Sequence, residues 1–143
     1  MRKFLGIAIL LALAYAGFDN YGFDRQGQTA DSAGSDVIAA AYRDRKSDIQ
    51  VTGEGVVVRV LSDDTEGSMH QRFILRLDSG QTLLVAHNID LAPRAQSISE
   101  GDTVKFNGEY EWNSKGGVLH WTHHDPQGEH VAGWLKHNGT TYQ

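Results

Sequence analysis

Gly101-Asp102-Thr103-Val104-Lys105-Phe106-Asn107-Gly108-Glu109-Tyr110-Glu111-Trp112 alternates without a break. Val104, Phe106, Gly108, Tyr110 and Trp112 fall on one side, and Thr103, Lys105, Asn107, Glu109 and Glu111 on the other. A sustained period of two is the mark of a half-buried strand. Its strict alternation with charged residues favours a core position for Tyr110 and Trp112 and places the glutamates on the outer face. Asn113-Ser114-Lys115-Gly116 then turns the chain back into Gly117-Val118-Leu119-His120-Trp121, a further strand.

Towards the N-terminus the same period recurs. Leu83 and Val85 oppose Leu84 and Ala86; Phe73, Leu75 and Leu77 oppose Arg72, Ile74 and Arg76; Asp78-Ser79-Gly80 is the hairpin turn between the two runs. A long strand starts near Ile49 and reaches Leu61, with a bend or bulge expected at Gly53 and Gly55. That makes five strands. The long gap between the third and fourth is filled by the crossover His87-Asn88-Ile89-Asp90-Leu91-Ala92-Pro93-Arg94. This layout predicts a mainly all-β fold, a five-stranded OB-like Greek-key barrel. Beyond it, Asp125-Pro126-Gln127-Gly128 has type I turn preferences and Asn138-Gly139 type I′ preferences. They predict two more strands, near Glu129–His137 and Thr140–Gln143, as a C-terminal β-meander extension.

The first third is different. Met1-Arg2-Lys3 is basic, Phe4 to Ala16 carries no charge, and Ala14-Tyr15-Ala16 suits leader cleavage. The apolar run is shorter than the roughly 20 residues of a membrane span. Residues 1–16 are therefore expected to be a cleaved signal peptide, an uncleaved N-terminal anchor being the alternative, and the domain is expected to be periplasmic or secreted. Residues 17–34 read as a flexible spacer and 35–47 as a short N-terminal helix with Val37, Ile38, Ala41 and Tyr42 on its apolar stripe. Residues 48–143 form the β domain.

Net charge narrows the partners. The chain has 13 Lys and Arg against 18 Asp and Glu, and loss of Arg2 and Lys3 with a leader makes it more acidic. Long nucleic acid and anionic membranes need a positive field, so a saccharide, peptide, protein or metal is favoured. The absence of cysteine excludes disulfides, thiolate metal sites and cysteine nucleophiles.

Four separated motifs, His70-Gln71-Arg72-Phe73, His87-Asn88-Ile89-Asp90-Leu91-Ala92-Pro93-Arg94, Gly108-Glu109-Tyr110-Glu111-Trp112-Asn113 and His120-Trp121-Thr122-His123-His124-Asp125-Pro126, occur in order with Gly133-Trp134 and His137-x-Gly139 behind them. Through these the chain resembles a family of secreted bacterial OB-like domains, domain of unknown function 3465, over roughly residues 48–143. The resemblance implies an OB-like fold and export, and no activity.

Five of the seven histidines lie between His120 and His137. If the Asp125–Gly128 turn closes a hairpin, His123 faces His130, with Cβ atoms roughly 4.5–5.5 Å apart. Those two imidazoles with Asp125 make a candidate site for Zn²⁺ or another divalent metal. His120 and His123 fall on opposite faces of a strand, and His120 and His124 are about 13 Å apart at a roughly 3.3 Å rise. A type I turn is a poor match to a two-residue hairpin, which leaves the register open. His70, Arg72, His87, Asn88, His120 and Trp134 form the candidate ligand-binding set, because strands two and three carry the usual ligand face of this barrel. Tyr110, Trp112, Trp121 and Trp134 are candidates for a stacking platform or for core. Asp63, Asp64 and Glu66 lack the full spacing of a Ca²⁺ loop.

Three functions follow as expectations. The first is an exported, non-enzymatic binding or accessory domain. The second is a metal-dependent hydrolase, a phosphodiesterase or nuclease, using His123, His124 and His130 as catalytic groups. The third is an envelope structural or interaction protein.

Overall fold

The computed structural model describes residues 25–143, so the expected leader and the first part of the spacer lie outside the described residues. A helix, α1 (Arg25–Arg43), precedes seven strands: β1 (Ile49–Val60), β2 (His70–Arg76), β3 (Thr82–Asn88), β4 (Thr103–Glu111), β5 (Val118–His120), β6 (Trp134–His137) and β7 (Thr140–Tyr142). β1 to β5 close a barrel in the order β1-β2-β3-β5-β4, with β4 returning to β1. β3 and β5 run parallel, and every other pair is antiparallel. This is the five-stranded OB-like barrel that the periodicity predicts, with β6 and β7 added to it.

Length lets β1 close the barrel. Its first two-thirds pair with β4, from Ile49↔Tyr110 to Val56↔Thr103, and its end pairs with β2, from Val56↔Arg76 to Val60↔Phe73. The register slips between Val57 and Arg59, later than the glycines at which a bulge is expected. Gly53 and Gly55 have another task. A Cβ at Gly53 would lie 2.9 Å from the Phe106 ring, and one at Gly55 2.9 Å from Leu75 Cβ. Their bare backbone makes room for large side chains from facing strands.

Phe73, Leu75, Leu83, Val85, Val104, Phe106, Tyr110 and Leu119 are buried inside the barrel, as the alternation requires. Tyr110 is core, its hydroxyl donating to the Gly116 carbonyl. Trp112 packs at the core edge and donates its indole N–H to the Tyr42 carbonyl of α1. Burial of one side chain such as Phe73 contributes about 2–3 kcal/mol.

α1 starts well before residue 35, so residues 25–34 are helical rather than spacer. Gly34, the last residue of the expected spacer, is where the helix meets the sheet: a Cβ there would lie 1.9 Å from the Thr52 carbonyl oxygen. Contact with β1, and the burial of Ile38 and Ala41, outweigh the weak helix propensity of glycine. Among the described residues no helix is long and apolar enough to cross a membrane.

The C-terminal strands differ from a simple meander. β5 and β6 do not pair with each other. Both lie along one edge of β4, β5 beside Glu109–Glu111 and β6 beside Lys105–Asn107, and β7 pairs with β6. Residues 121–133 leave that edge and return to it. The Asn138-Gly139 turn has the two positive φ angles, 49° and 77°, that a type I′ turn demands.

Candidate functional site

The excursion of residues 121–133 builds the site. β5 stops because Trp121 takes φ +55°, a left-handed conformation that costs a residue of this kind about 1–2 kcal/mol. The chain is held back at the other end, where the Gly133 amide donates to the His123 carbonyl at 3.0 Å. The Asp125–Gly128 turn forms as expected, with Gly128 N–H donating to the Asp125 carbonyl. The Asp125 carboxylate accepts from the backbone amides of Gln127, Glu129 and His130. The Gln127 amide first, with those of His130 and Glu129 behind it, holds its carboxyl below the ordinary range.

Alternation therefore ends at His120. The expected His123–His130 register is not made, and His120 and His123, placed on opposite faces by a continuous strand, meet in one pocket. This pocket, of about 220 Å³, is lined by Ser68, His70, Ala86, Asn88, Leu91, His120, Trp121 and His123. It lies on the outer face of β2 and β3, where His70 is paired with Asn88, and is walled by the β3–β4 crossover and the excursion.

Of the expected ligand-binding residues, His70, Asn88 and His120 line the pocket. Three do not. His87 is fully buried on the core side of β3, while Arg72, from the opposite face, donates Nε–H to the Ser62 carbonyl in the β1–β2 loop. A single face carrying both is thus excluded by the pleat. Trp134 sits on β6 with the Lys136 ammonium 4.3 Å from its ring centroid. Asp63 pairs with Arg94, and Asp64 bonds the Glu66 amide, so that loop is closed on itself.

The metal expectation gains no support. Among the described residues no group of three His, Cys, Asp or Glu side chains is placed to hold a metal ion. Asp125 is committed to backbone amides, His123 Nδ1–H donates to the His124 carbonyl, and His130 faces Glu109. His124 is exposed and enters through its carbonyl. The hairpin that would pair His123 with His130 does not form.

Behind the pocket stands an ion pair the sequence leaves looking like solvated strand. Glu109 Oε2 is 2.6 Å from His130 Nε2, and His130 Nδ1 is 2.8 Å from the Val131 carbonyl. Both partners are oxygen acceptors, so the arrangement favours a proton on each ring nitrogen of His130, the imidazolium form. Partial burial opposes that charge. The Val131 carbonyl, the Glu109 bond and the charges of Glu109 and Asp125 outweigh it and raise the pKa above the ordinary 6.5. The imidazolium stacks on Trp121, centroids 4.0 Å apart and planes 7° apart, a favourable cation–π arrangement. His120 Nε2 is buried without a hydrogen bond, 3.4 Å from Glu111 Oε1 and 4.0 Å from Glu109 Oε2. Glu109→Gln removes the charge that holds the proton. An NMR titration is expected to show the His130 pKa falling in that variant; an unchanged value would rule out the ion pair.

His87 supports the site from inside. Its Nε2 meets the Pro93 carbonyl at 2.9 Å, so that nitrogen donates and Nδ1 accepts from the Thr122 hydroxyl at 2.7 Å. Thr122 lies between two pocket residues, Trp121 and His123. Burial lowers the His87 pKa from 6.5 to about 4, against the Pro93 bond that raises it, and with nearby His123, His70 and Arg94 lowering it further.

The sequence does not reveal that Ser68, Ala86 and Leu91 line the pocket, nor that Glu109 backs it, and it offers Trp121 only as a candidate for a stacking platform or for core. The dense His120–Asp125 run was the available signal, but a left-handed residue at Trp121 has no marker in it. Compared with known families, the chain matches over residues 24–143 the one described as protein of unknown function (DUF3465). No curated protein matches it.

Proposed function

The chain belongs to the DUF3465 family, whose description gives no function, and we propose from its own site that it is an exported binding domain for a small ligand. One observation carries this reading: a pocket on the outer β2–β3 face, where OB barrels usually bind, lined by His70, Asn88, His120, Trp121 and His123. Three imidazoles, a carboxamide and an indole around a concave surface with apolar Ala86 and Leu91 match the mixed lining of ligand sites. A strained backbone at Trp121 supports it too, because such strain persists where the surroundings overdetermine a position. Export rests on the basic start and apolar run of residues 1–16. The acidic balance of the chain favours an uncharged ligand over a polyanion.

A fragment library screened against the isotope-labelled chain by NMR tests the pocket without assuming a ligand. Hits are expected to shift the Trp121 indole and the His70, Asn88 and His123 amides. Trp121→Ala is expected to weaken them about tenfold, the loss of roughly 1.4 kcal/mol of contact. Hits gathered instead around Trp134 and Lys136 would move the site to β6 and end this proposal.

A further inference from the structure

We propose that the pocket takes one ring of a neutral saccharide, an inference that rests on the binding role assigned to it above. The lining itself is uncharged. None of the eight lining residues is Asp, Glu, Lys or Arg. Around the lining stand the Glu109–His130 pair, Glu111 beside His120, and Asp90, whose carboxylate accepts from the Met69 amide, so the unpaired charges there are carboxylates. An anion finds no cation to neutralise it there. A buried charge without a partner is costly, so an uncharged ligand is selected over an anion.

Its hydrogen bonds have a fixed direction. His70 Nδ1 is 2.9 Å from the Ser68 carbonyl, and His123 Nδ1 is 2.7 Å from the His124 carbonyl. A carbonyl only accepts, so both Nδ1 atoms carry the proton. In the neutral ring the other nitrogen, Nε2, is then an acceptor. Asn88 is fixed in the opposite sense. Its Oδ1 takes the Asp90 and Leu91 amides at 2.9 and 3.2 Å, which leaves Nδ2 as a donor. Two acceptors, one amide donor and the Ser68 hydroxyl suit a molecule that donates and accepts from adjacent atoms. Vicinal hydroxyls on a ring do this.

The shape of the pocket suits a ring. A volume of about 220 Å³ equals roughly seven waters at about 30 Å³ each, room for one sugar ring. Leu91, Ala86 and Trp121 supply an apolar wall for the C–H face of such a ring. A nucleobase fits less well. Trp121 already stacks on His130, and its approach to His123 is tilted by 33°, so the pocket has no parallel slot between two free rings.

The test is a set of NMR titrations of the isotope-labelled full chain at neutral pH with glucose, galactose, N-acetylglucosamine, gluconate, glucosamine, inorganic phosphate and uridine. At least one neutral sugar is expected to give saturable shifts at the Trp121 indole and the His70 and His123 rings, with Kd on the order of 1 mM. His123→Ala and His70→Gln are each expected to weaken it about fivefold, as loss of one hydrogen bond should, in spectra that remain folded. The imidazole nitrogen shifts give an independent readout, since both rings are expected in the Nδ1–H tautomer before ligand is added. Preference for phosphate, gluconate, glucosamine or uridine overturns the proposal, as does an Nε2–H tautomer at both rings. If fragments occupy the pocket and no neutral sugar does, the saccharide is wrong and the binding role stands. If neither occupies it, both fail.

Discussion

Between pH 6.5 and pH 4 the domain is expected to lose about 3 kcal/mol of folding stability through His87 alone. In the unfolded chain this ring takes its proton near 6.5, whereas burial holds the folded value near 4. Between those limits the unfolded state binds more protons, so stability falls as pH falls. Above pH 6.5 both states are neutral and the contribution is fully present. His130 acts in the opposite sense: with its pKa raised, its stabilisation is complete below 6.5 and is lost as pH rises through the folded value. Asp102 and Asp125, whose pKa values are lowered, contribute above 3.8 and lose that contribution as pH falls through their folded values. The comparison that isolates His87 is urea unfolding of the natural chain and His87→Gln across this range. The variant is expected to be less stable at pH 7 and to show a much flatter decline towards pH 4. Parallel curves would falsify the assignment. The effect reaches the pocket, because protonation removes the acceptor that the Thr122 hydroxyl uses.

Gly133→Ala is expected to destabilise the domain by about 2–3 kcal/mol, the usual range for overfilling a packed position. A Cβ there would lie 2.0 Å from the Trp121 carbonyl oxygen and 2.5 Å from that of Asn107. Both are backbone atoms, and neither can swing away. Gly133 is the point at which the excursion closes onto β4, between the end of β5 and the start of β6. Pushing it off that edge displaces Trp121 and its stack on His130, so the near-ultraviolet circular dichroism of the indole should weaken along with the denaturation midpoint. Gly128→Ala is the control. Nothing lies within 4 Å of its Cβ, but φ is +70°, so a conformational cost of about 1 kcal/mol is expected with the Trp121 signal retained. Equal losses in the two variants would show that backbone conformation, not crowding at the closure, sets the cost.

The barrel was legible because β2, β3 and β4 each bury one face. Phe73, Leu83, Val85, Val104, Phe106 and Tyr110 all fall inside on the period read from the residues alone. Position-specific turn chemistry was legible for the same local reason: Asp125 and Asn138-Gly139 adopt the conformations their side chains favour. The start of α1 was not, since residues 25–34 are polar and show no helical periodicity, and only the fold brings Gly34 against the Thr52 carbonyl. The site was legible in part. His70, Asn88, His120 and His123 stand out as groups with chemistry to offer, and the sequence also offered His87, Arg72, Trp134 and Asp125, which the fold directs elsewhere.

Local patterning determined the strands, the barrel class and the density of histidine on the last third of the chain. Only tertiary structure decided which histidines meet. One left-handed residue at Trp121 ends the alternation, and one glycine at residue 133 lets the chain rejoin the edge of β4. Both are imposed by contacts across the fold. A strand's own period carries side-chain direction only as far as the strand continues, and this one stops at His120.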